Sequence, residues 1–346
     1  MKTKEQFISQ YLEYRSDDVE QADKLINILS SYITESWFET PLDLERILQV
    51  VRTYREENIS NSFGKRCEAT APILEMLSAA NWGLHEIQIL ASVIGHTPHH
   101  KISKDLMQEA FDVLDDEFYD SEYYEATKLI FYFNLSLRLL RAKYYENIDL
   151  QDVNNTFDDC VESALSICET MNFITYRTIL LVRKALFYGN CKKITEGLDA
   201  LETLGDKKWI KATQDEMVEF LYRMGDRLTT PLFNFMVGYQ IKRRRKELGV
   251  STIDFADAIG SSPTAVNEFE RGDKGVRGTR LCEIAKLLQT DIAYLYGDLS
   301  KRPVNTITDI KVHTACNLMS NLSDIDKDFI LGFLRDFIKL NNKKNK

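Results

Sequence analysis

Apolar side chains recur along most of the chain before residue 225 with the three- and four-residue spacing of an α-helix. Leu44, Ile47 and Leu48, for example, begin a stripe that continues through Val51 to Tyr54. Similar stripes, joined by short polar turns, occur in the segments 17–32, 65–77, 84–94, 105–114, 122–145, 153–168, 176–188 and 194–204. Because this spacing brings the apolar side chains to one face of each helix, the pattern predicts an all-α chain whose front region is a helical-hairpin solenoid or bundle.

Two proline-containing joints divide the chain into parts. One joint ends at Pro231 and the other contains Pro303, and proline prevents an uninterrupted helix through either joint. We therefore expect an all-helical regulatory or sensor region, a second domain and a helix-bearing C-terminal segment. Their expected bounds are 1–230, 235–298 and 307–346.

The second domain carries four signals that begin or end helices. Gly249 suits the position after a helix, where a left-handed residue is common. Ser251, with Asp254 three residues later, forms a variant of the capping box that starts the next helix. Gly260 permits a tight turn, and the Ser-Pro pair that follows provides an N-cap and a first-turn proline. The pattern predicts two helices joined by a short turn, followed by further helical spacing.

These residues resemble the Cro/repressor-like (Xre) helix-turn-helix family over nearly all of 235–298. The likeness lies in the runs I-x-x-x-R-x-x-x-G from Ile241, S-x-x-x-x-A-x-x-x-G from Ser251, F-E-R-G from Phe269 and L-x-x-I-A-K-L-L from Leu281. The resemblance implies a five-helix module whose third helix enters the major groove of double-stranded DNA, while flanking helix N-termini and a loop hold phosphates.

The resemblance also implies roles for individual residues. The base-contact candidates lie on the third helix and at the start of the second: Thr252, Pro263, Thr264, Asn267 and Glu268. The phosphate-contact candidates are basic residues around that helix: Lys242, Arg243, Arg244, Arg271, Lys274, Arg277 and Arg280. Arg245 is expected to form a structural ion pair with Glu270, the glutamate two residues before the glycine that ends the third-helix motif.

The third helix departs from the family pattern in its charge. It presents Glu268 and no basic residue before Arg271, whereas relatives often carry arginine, glutamine or lysine there. A carboxylate accepts a hydrogen bond from cytosine N4 but repels phosphate. Two interpretations therefore stay open: sequence-specific recognition of DNA, and a helix-turn-helix that serves as the docking surface of a protein-protein adaptor or immunity-type factor.

Charge is distributed unevenly along the 346 residues, whose net charge is −9. Residues 1–234 carry 25 basic and 39 acidic side chains, residues 235–298 carry 10 and 9, and residues 299–346 carry 9 and 5. Because the acidic front repels a polyanion, any nucleic acid is expected on the later part of the chain.

Other kinds of chemistry find little support in the residues. The six cysteines form no C-x-x-C pair and the N-terminus lacks an apolar signal-peptide segment, which favours reduced thiols in a cytoplasm. Charged residues interrupt every apolar run short of a membrane span. Motifs for phosphate-binding loops and zinc proteases are missing, and His96, His99 and His100 lack companions at zinc-site spacing. We expect no enzyme activity, no cofactor and no metal.

The C-terminal segment predicts a dimerisation helix. Residues 321–340 begin with a capping box, Ser323 and Asp326, and continue with a broad apolar stripe. One side of this stripe can cover its own module, whereas the other requires a partner, so a homodimer is expected, with a single core-docking helix as the alternative. The dimerisation candidates are Ile325, Phe329, Phe333 and Phe337.

The front region has the features of a sensor. Residues 184–201 loosely resemble a tetratricopeptide helix hairpin, and the aromatic-rich stretch 111–145 suits the binding of an extended peptide. The plan resembles peptide-pheromone-sensing regulators of Gram-positive bacteria, in which the DNA-binding module instead comes first. We therefore expect a transcriptional regulator whose TPR-like front region responds to a peptide, a small molecule or a protein.

Overall fold

The structure is a computed structural model, and it describes residues 6–7, 10–11, 19–35, 42–60, 66–77, 82–97, 104–145, 150–303, 323 and 326. Every regular element in these ranges is a helix, which confirms the predicted all-α class. The helices found there are all too short or too polar to cross a membrane. The chain divides into two compact units, Met1–Thr229 and Thr230–Lys346.

The first unit is built from helices that pack against their neighbours in sequence. The α-helices of this unit for which the described residues give both ends are α1 (Val19–Glu35), α2 (Leu42–Ser60), α3 (Arg66–Leu77), α4 (Leu84–Val93), α5 (Lys104–Glu117), α6 (Tyr124–Tyr145), α7 (Leu150–Thr170), α8 (Ile174–Phe187), α9 (Cys191–Leu204) and α10 (Lys207–Arg223). Helix α1 packs on α2 and α2 on α3, and from α6 to α10 each helix packs on the next. Stacked hairpins require such consecutive packing, while the likeness to tetratricopeptide repeats stays a prediction.

Helix α10 begins at a local signal that the apolar stripes did not show. Gly205 ends α9 with a φ of 79°, in the left-handed region that glycine tolerates. The carboxylate of Asp206 then accepts hydrogen bonds from the backbone N–H groups of Lys208 and Trp209. One helix therefore ends and the next begins within two residues, because each residue satisfies backbone groups that a helix end leaves open.

A buried arginine links three helices of this unit. Arg183 on α8 donates two hydrogen bonds, of 2.7 and 2.8 Å, to the carboxylate of Glu216 on α10. Its guanidinium also donates to the Phe133 carbonyl oxygen and the Ser136 hydroxyl on α6. The side chain of Arg183 is only 3% exposed, so its charge depends on these partners for compensation.

The second unit contains a five-helix module. Its helices are α11 (Thr230–Glu247), α12 (Thr252–Ala258), α13 (Pro263–Glu270), α14 (Gly278–Leu287) and α15 (Ile292–Leu295). Helix α13 packs on both α11 and α12, and α15 packs on α11 and α14. Apolar side chains with no exposed surface fill the space between them: Ile241, Phe255, Ala256, Val266, Ile284, Leu288 and Leu295.

After the module, the structure describes only a short part of the chain. A 3₁₀ turn covers Leu299–Lys301. Further on, the Ser323 hydroxyl donates to the Asp326 carboxylate at 2.6 Å and accepts from the Asp326 backbone N–H, which confirms this capping box. The four dimerisation candidates lie outside the described residues, so the dimer stays a prediction: Ile325, Phe329, Phe333 and Phe337.

Candidate nucleic-acid interface

The turn between α12 and α13 is held by side-chain caps on both helices. The Ser251 hydroxyl accepts a hydrogen bond from the Asp254 backbone N–H at the start of α12. Gly260 ends α12 with a φ of 59°, a conformation that side chains disfavour. The Ser262 hydroxyl then accepts from the Ala265 backbone N–H, with Pro263 in the first turn of α13. The helix boundaries that these residues predicted are confirmed.

One face of α13 is open to solvent. Thr264 and Asn267 are exposed, and the side chain of Glu268 retains 27% of its surface. Their three- and four-residue spacing continues to Arg271, just after the helix, so these side chains share a face. Val266, on the opposite side, is fully buried. Of the other base-contact candidates, Pro263 is exposed and Thr252 is partly exposed at the start of α12.

The C-terminal end of α13 is fixed to α11 by a buried ion pair. Arg245 donates from Nε to one oxygen of Glu270 at 2.7 Å and from Nη2 to the other at 2.8 Å. Its Nη1 also donates to the Val250 carbonyl oxygen at 2.7 Å. The two side chains are 9% and 4% exposed, so the pair expected from the sequence acts inside the protein rather than at its surface.

Two glycines allow α11 and α13 to approach closely, and of these the sequence analysis had noted only Gly272, as the end of the F-E-R-G run. A Cβ on Gly238 of α11 would lie 1.8 Å from the Phe269 carbonyl oxygen. A Cβ on Gly272, after α13, would lie 2.5 Å from Cα of Phe235, and its φ of 79° also favours glycine. An isolated glycine within a helical pattern is the only signal that Gly238 gives in the sequence.

A buried polar contact joins α11 to α15. Gln240 has no exposed surface, and its Nε2 donates a 3.1 Å hydrogen bond to the Tyr294 carbonyl oxygen. Burial raises the pKa of the Tyr294 hydroxyl above its ordinary value, so this group stays neutral at physiological pH. Neither residue was a candidate in the sequence analysis, because their contact joins helices far apart along the chain.

Two of the phosphate-contact candidates are covered. Arg244 is 1% exposed, because its guanidinium donates to the Leu288 carbonyl oxygen and to Glu247, each at 3.1 Å. In this structure Arg244 is therefore not accessible to phosphate, contrary to the expectation from the sequence. The side chain of Arg243 is 9% exposed, and its Nε lies 3.5 Å from Oε1 of Glu247. Arg243 is therefore also poorly accessible to a phosphate.

The remaining candidates are accessible to different extents. Arg277 is exposed and forms no side-chain bond with the described residues, whereas Lys242 is partly exposed. Arg280 retains 38% of its side-chain surface, but its guanidinium donates to the Ile259 carbonyl oxygen at the end of α12. Arg271 pairs with Asp273 at 2.8 Å, and both side chains remain more than half exposed.

Lys274 has a partner on the solvent-exposed face of α13. Its Nζ lies 2.6 Å from Oε2 of Glu268. The structure thus joins a candidate for phosphate contact to a candidate for base contact, which sequence spacing did not predict.

Among the described residues, no group of three or more histidine, cysteine, aspartate or glutamate side chains could hold a metal ion, and His99 and His100 lie outside those residues.

Comparison with known proteins finds relatives that are similar to part of the chain. The helix-turn-helix family profile matches residues 241–295. The chain is 29% identical over 116 residues to the HTH-type transcriptional regulator DicA of Escherichia coli (strain K12). The matched stretch covers 32% of this chain and 86% of DicA. It is 34% identical over 65 residues to an uncharacterized transcriptional regulator in the ATPase CF(0) region of Rhodospirillum rubrum.

That second match covers 19% of this chain and 60% of the Rhodospirillum protein. No solved structure matches the chain significantly. The family profile is confined to the helix-turn-helix part, at residues 241–295.

Proposed function

We propose that this chain, a DNA-binding transcriptional regulator with a Cro/repressor-type helix-turn-helix, recognises a specific double-stranded DNA sequence through the exposed face of α13. The observation that carries this proposal is that α13 has one polar face exposed to solvent and an opposite face buried against the rest of the module. Thr264 and Asn267 are exposed, while Val266 and Glu270 on the other side are buried. A helix that reads bases requires this rigidity, because base contacts depend on precise placement of a few side chains.

The polar side chains of this face suit base recognition. The amide of Asn267 can donate to adenine N7 and accept from N6, and the Thr264 hydroxyl can both donate and accept. Arg277, exposed after α13, supplies a cation for a phosphate. Base contacts then set the sequence preference, and the phosphate contact sets the position of the module on the duplex.

The front region is proposed to gate this binding. It carries the entire acidic excess of the chain, with 39 acidic against 25 basic side chains in residues 1–234. A peptide, a small molecule or a protein that binds there and moves this charge relative to DNA would change the affinity. A homodimer formed through the C-terminal segment would place two reading helices on two half-sites.

Duplex DNA binding by the full chain tests the proposal. A pool of double-stranded DNA randomised over roughly 20 base pairs, enough for two half-sites, is selected for binding and sequenced. We expect one preferred sequence, bound with an affinity that falls as salt rises. Asn267→Ala should lower that affinity by about tenfold, in line with the loss of one bidentate base contact. Selection that enriches no sequence would refute base-specific recognition.

Gating requires a separate comparison of the full chain with the fragment 230–346. Circular dichroism must first show that the fragment is helical. If the acidic front weakens DNA binding, the fragment should bind the selected duplex more tightly than the full chain, most clearly at low salt. Equal or tighter binding by the full chain at every salt concentration would assign the front region a supporting role instead.

A protein-protein adaptor is the second candidate function, and the charges on the α13 face favour it. Arg271 and Lys274 pair with the carboxylates of Asp273 and Glu268, which reduces the positive charge offered to phosphate. A docking surface for a protein does not need an excess of basic side chains. An adaptor would enrich no duplex sequence and would show no salt-dependent affinity for the duplex that the pool offers, and Asn267→Ala would change nothing in that assay.

A further inference from the structure

The ion pair between Glu268 and Lys274 leaves one carboxylate oxygen available. Lys274 Nζ lies 2.6 Å from Oε2, whereas Oε1 forms no hydrogen bond with the described residues. The Glu268 side chain is 27% exposed and that of Lys274 is 69% exposed, so the pair lies at the surface with the carboxylate as its sheltered member.

The chain path after α13 brings Lys274 to this position. Gly272 adopts a φ of 79°, and the Asp273 backbone N–H donates to the Glu268 carbonyl oxygen at 2.9 Å. The turn therefore folds against the last part of the helix that carries Glu268. This placement differs from that of Arg277, which lies later in the same connection and has no carboxylate partner among the described residues.

The chemistry of a carboxylate limits the base that Glu268 could read. An ionised carboxylate only accepts hydrogen bonds. In the major groove, guanine offers two acceptors, thymine offers an acceptor and a methyl group, and adenine offers a donor beside the acceptor N7. Cytosine offers the N4 amino group as a donor without an adjacent acceptor, so an acceptor-only side chain favours cytosine. An uncompensated carboxylate, however, is repelled by the phosphates around the groove.

We propose that Glu268 reads a cytosine and that Lys274 is the positioning residue that makes this possible. Lys274 holds Oε2, leaves Oε1 as the acceptor and offsets the charge that phosphates would repel. The inference rests on the proposed function, since it requires α13 to enter the major groove. It changes the role of Lys274 from an independent phosphate contact to an intramolecular partner of a base-reading carboxylate.

The test uses the full chain and its selected duplex, with each base pair changed in turn. Dissociation constants are measured for the wild type, Glu268→Gln, Lys274→Gln and the double variant. Arg277→Gln, alone and combined with Glu268→Gln, is the matched control, because it removes a nearby cation that has no bond to Glu268. Circular dichroism monitors folding, which an exposed ion pair influences little. Lys274→Arg retains the positive charge and serves as the conservative variant.

We expect the wild type to prefer cytosine at one position by about tenfold, which corresponds to about 1.4 kcal/mol. Glu268→Gln should shift that preference to adenine, because an amide both accepts from N6 and donates to N7. Lys274→Gln should weaken cytosine recognition, whereas Lys274→Arg should retain it. The factor by which Lys274→Gln raises the dissociation constant should be at least about threefold smaller when Glu268→Gln is already present. Such coupling is expected of side chains that pair with each other. Arg277→Gln should weaken all sequences alike in both backgrounds.

Two results overturn the inference in distinguishable ways. If the chain binds a selected sequence but Glu268→Gln changes no base preference, or Lys274→Gln and Glu268→Gln act additively, recognition of DNA stands and the role of this pair is refuted. If neither the wild type nor any variant binds duplex DNA with salt-dependent affinity, the proposed function itself fails, and the inference fails with it.

Discussion

Arg245 on α11 and Glu270 at the end of α13 face each other through two parallel hydrogen bonds, of 2.7 and 2.8 Å, in the interior of the module. The pair connects the helix that supplies much of the core to the helix that presents the reading face. Because the two side chains are only 9% and 4% exposed, water can replace little of what each charge gains from its partner. This buried ion pair therefore helps to set the orientation of α13 without itself contacting DNA.

Glu270→Ala should destabilise the module by about 3 to 5 kcal/mol, because it leaves the Arg245 guanidinium buried without its partner. The matched control is Asp273→Ala, which breaks the exposed pair with Arg271 and should change stability by less than about 1 kcal/mol. Urea unfolding followed by far-ultraviolet circular dichroism measures both effects.

Tryptophan fluorescence provides the internal reference for this measurement, because the three tryptophans all belong to the first unit: Trp37, Trp82 and Trp209. Their unfolding transition should remain unchanged in Glu270→Ala. A loss of stability no larger than that of Asp273→Ala would show that the buried pair contributes little.

Gly238→Ala should weaken the packing of α11 on α13, since the added methyl group would lie 1.8 Å from the Phe269 carbonyl oxygen. Backbone has to move to relieve such a clash, and we expect a cost of about 1 to 3 kcal/mol together with weaker DNA binding. Gly278→Ala is the control, because nothing lies within 4 Å of its added Cβ. That change should be neutral or stabilise the module by up to about 1 kcal/mol. Equal melting temperatures for the two variants would contradict the packing argument.

The parts of the module that could be predicted from sequence are those in which neighbouring residues act on each other. Ser251 and Ser262 cap the helices that they precede, and Gly260 takes the left-handed conformation that its position suggested. These signals are local, because each cap satisfies backbone groups two or three residues away. The family resemblance added the five-helix plan, which the helices α11 to α15 follow.

The parts that could not be predicted depend on contacts between distant segments. Arg244 and Arg245 are adjacent and chemically identical, yet the Leu288 carbonyl oxygen binds one and Glu270 binds the other. The sequence alone gave no reason to separate Arg244 from the accessible cations. The pairing of Glu268 with Lys274 likewise depends on the path of the turn after α13, which the residue pattern does not determine.

Glu216→Ala should destabilise the first unit by about 3 to 5 kcal/mol, because Arg183 would lose both charge-assisted hydrogen bonds inside the protein. Trp209 reports this directly, since its ring lies 6.0 Å from that of Phe133, which contacts the Arg183 guanidinium. The control is Glu196→Ala, which breaks an exposed pair on α9 and should have almost no effect. A fluorescence midpoint shared by both variants would argue against a role for the buried pair.

Changing Phe329 and Phe333 together to aspartate should convert a dimer into monomers. This prediction comes from the apolar stripe of residues 321–340, since two carboxylates on such a stripe cannot be buried against a second copy. Sedimentation velocity at tens of micromolar protein measures the change, and the Asp326 capping position stays intact in the variant. A wild-type chain that sediments as a monomer under these conditions would refute the dimer.

Arg277 and Arg244, which the sequence placed in the same role, should respond differently to substitution. Arg277 is exposed, so Arg277→Gln should weaken binding to all duplex sequences alike and reduce the slope of log affinity against log salt by roughly one unit. Arg244 is 1% exposed, and Arg244→Gln should leave that slope unchanged while lowering stability, because the Leu288 carbonyl oxygen and Glu247 lose a charged partner. Salt titrations of DNA binding, paired with urea unfolding of the same proteins, measure the two quantities separately. A reduced slope for Arg244→Gln at unchanged stability would mean that this side chain leaves the interior to contact phosphate, contrary to the packing described for α11.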